Sequence, residues 1–160
     1  MSLSEQKFLF IDCQTTGTSP ANGQIVEIAW CVCAATDTDP TIHSWLVALP
    51  EGRTLPPITT EITGLTNDDM KTALPADEVK KKFVEEIQGA PISLIHYAQF
   101  EKTFLKAFLA EESEQDELFE IICTSRLAKK LVPTIPNYNI RGVAGYYGMA
   151  CLSTNIRWIC

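Results

Sequence analysis

Only two histidines, His43 and His96, occur in the 160 residues, and no Asp or Glu follows Glu120. Chemistry that needs several imidazoles is excluded, and any carboxylate site draws on residues up to Glu120. The six cysteines, at positions 13, 31, 33, 123, 151 and 160, form no C-x-x-C pair. With only two histidines beside them, a zinc site is not expected. No apolar run is long enough to span a bilayer, so no membrane partner is expected. No G-x-G-x-x-G follows the first strand-like run, which argues against a dinucleotide-binding enzyme. Internal repeats and low-complexity tracts are missing too. Met1 to Lys7 is short and polar and does not read as a targeting segment. The expectation is a cytoplasmic protein whose Cys13, Cys31, Cys33 and Cys123 are buried free thiols, each acting as a small core residue.

What is present suffices for a core. Hydrophobic residues make up 46% of the chain, and the length suits a single domain over residues 1–160. The net charge is −7, which argues against gripping nucleic acid by bulk charge. Metal ions near the carboxylates, or a partner that delivers the strand, would offset this. Lys80, Lys81 and Lys82 fall on a helix whose apolar face is otherwise assigned, and they read as solvated.

Phe8 to Cys13 is a continuous apolar run that reads as a central strand buried on both faces. Ile25 to Ala34 and His43 to Leu49 are the next strands, with a hairpin turn suggested by Asn22-Gly23. Short helical turns follow over Ile58 to Lys71. Val79, Phe83, Val84 and Ile87 then line one face of a helix. Ile92 to His96 is a fourth strand, and Phe100, Phe104, Leu105, Phe108 and Leu109 stripe the next helix. Glu111 to Glu117 reads as an acidic loop and Phe119 to Cys123 as a fifth strand. Thr124 is a candidate cap for a helix with Leu127, Ala128 and Leu131 inward. Asn139 is a candidate cap for a last helix closed by Gly148. Three strands on short links imply an antiparallel meander, and helical crossovers imply parallel pairing to the later strands. The result is a mixed α/β sheet.

Two stretches carry chemistry. FIDCQTTG, Phe10 to Gly17, puts Asp12 at the end of a buried strand, where a charge is costly unless a metal or partner satisfies it. Gln14 lies two residues on, so its side chain points to the same face as Asp12. HYAQFE, His96 to Glu101, puts an acid in the first turn of a helix. Two further segments are LPPITTEITGLT, Leu55 to Thr66, and PNYNIRGVAGYYG, Pro136 to Gly148.

Together these resemble the DEDD-type, DnaQ-like 3′–5′ exonucleases, the family of the proofreading epsilon subunit of bacterial DNA polymerase III. The resemblance runs from about residue 7 to 148. It implies a ribonuclease H-like mixed five-stranded sheet with helices on both faces. It also implies two-metal hydrolysis of nucleic-acid 3′ ends with Mg²⁺ or Mn²⁺. Asp12, Gln14 and Glu101 would be the catalytic positions, and Asp12 and Glu101 the metal ligands. Thr15, Thr16, Gly17, His96 and Tyr97 would bind the terminal nucleotide. The implied partners are a single-stranded 3′ end and a polymerase or repair protein.

The chain departs from that pattern in three places. Gln14 stands where the family has Glu, and Glu101 where it has Asp. The third motif, a His and a final Asp, has no counterpart in the sequence given. The expectation is an exonuclease domain with impaired activity. The alternative is an inactive nucleotide or nucleic-acid binding module of a replication or repair protein.

Overall fold

The computed structural model describes residues 4–87, 92–110 and 120–149. The acidic stretch from Glu111 to Glu117, Phe119 and the segment after Met149 lie outside the described residues. Strands β1 (Lys7–Thr15), β2 (Ile25–Ala34) and β3 (His43–Leu46) come first. Helix α1 (Pro57–Thr63), a 3-10 turn (Asp69–Thr72) and helix α2 (Ala76–Glu86) follow. Then come β4 (Ile92–Ile95), α3 (Ala98–Phe108), β5 (Glu120–Cys123), α4 (Thr124–Leu131) and α5 (Ile140–Tyr146). Among the described residues no helix is long and apolar enough to cross a membrane.

The strands form one mixed sheet in the order β3-β2-β1-β4-β5. The first three pair antiparallel, and β4 and β5 join them parallel to β1. This is the meander-plus-crossover arrangement that the connection lengths imply. The core lies on the sheet face that carries Leu9, Ile11, Cys13, Ile28, Trp30 and Ile95. Val79 and Phe83 of α2 and Phe104 and Leu105 of α3 pack against it. These side chains recur at a period near 3.6 on the helices and 2 on the strands, so each element offers them on one side. Cys13 and Cys31 are buried, Cys33 and Cys123 half-buried, and all four are free.

Several local expectations differ from the structure. The link between β1 and β2 is a wider loop than an Asn-Gly hairpin turn. Asn22 Oδ1 accepts from the Ser19 amide at 3.0 Å, and Thr16 and Gln24 close the loop through main-chain and hydroxyl hydrogen bonds. Its two glycines touch backbone to backbone, since a Cβ on Gly23 would stand 2.4 Å from the Gly17 nitrogen. Strand β3 ends at Leu46, and Val47, whose amide still donates to the Val26 carbonyl at 2.9 Å, forms an isolated bridge with Leu74. Helix α4 is rotated from the expected phase. Ser125 and Ala128 are buried, whereas Leu127 is 41% and Leu131 65% exposed. Ser125 Oγ donates to the Tyr138 carbonyl at 3.4 Å, so the segment leading to α5 fixes which side of α4 turns inward. Thr124 is the first residue of α4 and Cys123 occupies the cap position. Asn139 does cap α5, its Oδ1 accepting from the Gly142 amide at 2.8 Å. Lys80 is not solvated. It pairs with Asp77 at 3.2 Å and leaves only 14% of its side chain exposed. Its ammonium sits 5.7 Å from the centre of the Phe108 ring, as its aliphatic stem allows.

Candidate active site

Asp12 sits in the C-terminal half of β1, and β4 runs parallel beside that strand. The turn after β4 therefore opens at the same end of the sheet. Tyr97 forms this turn with φ 55° and ψ 42°, the one non-glycine residue at positive φ among the described residues. Left-handed backbone costs a side-chain-bearing residue on the order of 1 kcal/mol. It lets the chain reverse at once into α3, which carries Glu101 in its first turn.

Glu101 is 5% exposed. It accepts hydrogen bonds from the Cys13 thiol and the Cys13 amide, next door to Asp12. The carboxylates of Asp12 and Glu101, remote in sequence, thus lie within electrostatic range of each other. Burial, and then the Asp12 charge, push the Glu101 carboxyl up to about 8. Burial, and then the Glu27 charge, push Asp12 up to about 6. Among the described residues no cationic side chain acts on either one. Glu101 Oε2 is buried without a hydrogen-bond partner. Two neighbouring carboxylates, one with an unpartnered oxygen, suit a divalent cation, which prefers oxygen ligands and negative charge. Among the described residues, no three His, Cys, Asp or Glu side chains gather as a ready metal site.

Gln14 lies directly across from Glu27 on β2, and Asp12 across from Ala29. Cross-strand partners share a face, so Asp12, Gln14 and Glu27 are on one side of the sheet. Glu27 is 6% exposed, and Ser44 Oγ donates to its Oε1 at 3.0 Å. Sequence reasoning passed over this residue. The signal was there: an acid inside the apolar run IVEIAW.

The other site residues play distinct local parts. Thr15 Oγ1 donates to the Gly17 carbonyl at 2.8 Å, and Thr16 Oγ1 accepts from the Gln24 amide at 3.0 Å. Both hydroxyls hold the loop. Gly17 is needed for close approach, since a Cβ there would meet the Asn22 carbonyl oxygen at 2.6 Å. His96 Nδ1 is 3.0 Å from Thr124 Oγ1, and this takes the hydroxyl that was expected to cap α4. Burial lowers the pKa of His96, with the Tyr138 main chain opposing the shift. Tyr97 packs edge-on to His96 at 4.6 Å between ring centres and is 52% exposed. His43 belongs elsewhere. With Trp30, Glu86 and the 37–41 loop it lines a concavity of about 480 Å³, and Trp30 faces the opposite side of the sheet from Asp12.

The RNase T family model, described as exonuclease, matches residues 9–151. The chain belongs to the exonuclease family. The family is generally dependent on divalent metals. Among relatives of this exonuclease chain, the PolC-type DNA polymerase III of Streptococcus pneumoniae serotype 2 is 25% identical over 150 residues. The match covers 94% of the chain and 10% of that polymerase. The PolC-type enzyme of Mycoplasmopsis pulmonis is 28% identical over 140 residues, covering 88% of the chain and 10% of its own length. The exonuclease chain thus spans about a tenth of these curated relatives. Among solved structures, product-bound exonuclease I superposes with a TM-score of 0.77 at 13% identity, covering 92% of this chain and 40% of that one. Exonuclease X in complex with 5′ overhanging duplex DNA gives 0.63 at 22% identity, with coverage of 92% and 76%. At these identities the likeness shows the fold, a ribonuclease H-like mixed sheet flanked by helices.

Proposed function

We propose that this chain is a single 3′–5′ exonuclease domain that hydrolyses nucleic-acid 3′ ends, working in the cytoplasm beside a polymerase or repair protein. One observation carries the reading: the buried Glu101 and the half-buried Asp12 lie within reach of each other, the Asp12 charge raises the proton affinity of Glu101, and among the described residues no cationic side chain relieves either one. Bound Mg²⁺ or Mn²⁺ would supply Lewis-acid activation of water and charge neutralisation at the scissile phosphate. Asp12 and Glu101 would hold the metal, with Gln14 offering a carbonyl oxygen but no charge. Thr15, Thr16 and Gly17 form a tight, internally bonded loop against which a terminal nucleotide would rest. His96, held neutral by burial and oriented by Thr124, would position that loop's neighbours. Tyr97 would offer a base-stacking surface. PolC-type polymerases among the relatives support a polymerase partner, and the likeness to exonuclease X supports a DNA 3′ end.

Gln14 favours a second reading, a nucleotide-binding module without turnover. Fewer carboxylates mean weaker retention of a hard cation. A nuclease assay on 3′-labelled single strands with titrated Mn²⁺ separates the two. Cleavage that Asp12→Ala abolishes supports the exonuclease. Binding of a nucleoside monophosphate without cleavage supports the module.

A further inference from the structure

We infer that Glu27 is a positioning residue of the metal site, supplying from β2 the negative charge that Gln14 does not bring from β1. This rests on the metal reading above. Glu27 and Gln14 are direct cross-strand partners, and Asp12 is one alternation away on the same face of the sheet. Facing Cβ atoms in such pairs lie roughly 4.5–5.5 Å apart. A carboxylate at either position therefore projects into nearly the same space. Glu27 is almost fully buried in an otherwise apolar strand. The Ser44 hydroxyl on β3 donates to Oε1 at 3.0 Å and restrains one carboxylate oxygen from that side. Glu27 therefore acts through the field at Asp12 and through Asp12's orientation, while direct ligation stays with Asp12 and Glu101.

The experiment is Mn²⁺ binding followed by calorimetry and by the loss of free-ion electron-spin resonance signal, with no nucleic acid present. Glu27→Gln keeps the shape and removes the charge. It weakens Mn²⁺ binding by about 10–100-fold, the range typical of outer-shell partners of metal sites. Glu27→Asp retains most of the affinity. Gln14→Glu in the parent tightens binding, and the exchange Gln14→Glu/Glu27→Gln returns it to within about threefold of the parent, because the total charge on that face is restored. The inference is overturned if Glu27→Gln binds Mn²⁺ as the parent does, or if the exchange variant binds no better than Glu27→Gln. Failure of the underlying reading looks different: Mn²⁺ binding by the parent that is absent, or indifferent to Asp12→Asn, removes the metal site and this inference with it. A purely structural Glu27 is recognised by a lowered melting temperature with the Mn²⁺ affinity of the folded fraction intact.

Discussion

Two carboxylate sites against the same sheet behave in opposite ways. At Glu86 the carboxylate is matched. The Trp30 indole N–H donates to Oε2 at 2.8 Å, and His43 Nδ1 lies 2.9 Å from the same oxygen. Trp30 and His43 stack at 5.8 Å, and Phe83 meets Trp30 edge-on, so the donors are held rigidly by packing. At Asp12 and Glu101 the carboxylates are mismatched. The Asp12 charge adds to burial at Glu101, the Glu27 charge adds to burial at Asp12, and both carboxyls are pushed up in pKa. A matched acid is a structural tie whose work is finished when the chain folds. A mismatched pair destabilises the empty protein and is relieved only by a cation or protons, which is how a binding site is told from a buried ion pair.

That contrast breaks most visibly at Asp12. Asp12→Asn is expected to cut nuclease turnover by more than about 100-fold, beyond the range of outer-shell positions, while leaving the apo protein at least as stable. Equal loss of stability and turnover would remove the distinction between the two clusters. The next effect is in the pH profile. The folded Glu101 carboxyl titrates near 8 against an ordinary 4.5, so the folded state holds more protons between those values. Stability therefore falls as pH rises through that window. Glu101→Gln flattens the fall, a gain of roughly 2–4 kcal/mol at pH 8 in metal-free buffer, read by urea unfolding at several pH values. Saturating Mn²⁺ reverses the ranking of the two proteins. On the matched side, Trp30→Phe costs about 2 kcal/mol through lost packing and the lost hydrogen bond to Glu86, and Mn²⁺ affinity does not change. The smallest effect is Glu86→Gln. The side chain is 35% exposed, so the loss stays below about 1 kcal/mol. Calorimetry and nuclease assay both read as for the parent.

The elements that sequence reasoning located well were those whose pattern is set by one buried face. Strand β2 matches its expected bounds because Ile25 to Ala34 is β-branched and apolar with turn residues on both sides. The placing of Asp12 and Glu101 was legible because each lies inside a recognisable motif, Asp12 in the C-terminal half of β1 and Glu101 in the first turn of α3. Helix α4 was misphased because Leu127 and Leu131 outweigh Ser125 by hydropathy, whereas its inward side is chosen by contact with the chain before α5. Glu27 escaped notice because its role depends on register. Only the pairing with Gln14 says which neighbour an acid in a buried strand meets. Lys80 was misread for a similar reason. Its burial comes from Phe108, on a helix that follows it in the chain.

The split between hairpin-built and crossover-built halves of the sheet has a kinetic consequence. Asp12 and Glu27 meet across neighbouring strands linked by a short loop, a contact with low closure entropy that is available early. Glu101 arrives only with α3, once β4 has docked along β1. The repulsion between Asp12 and Glu101 therefore arises late, after most of the surface is buried. A bound divalent ion acts on that last closure, so it slows unfolding and leaves the refolding rate nearly unaltered.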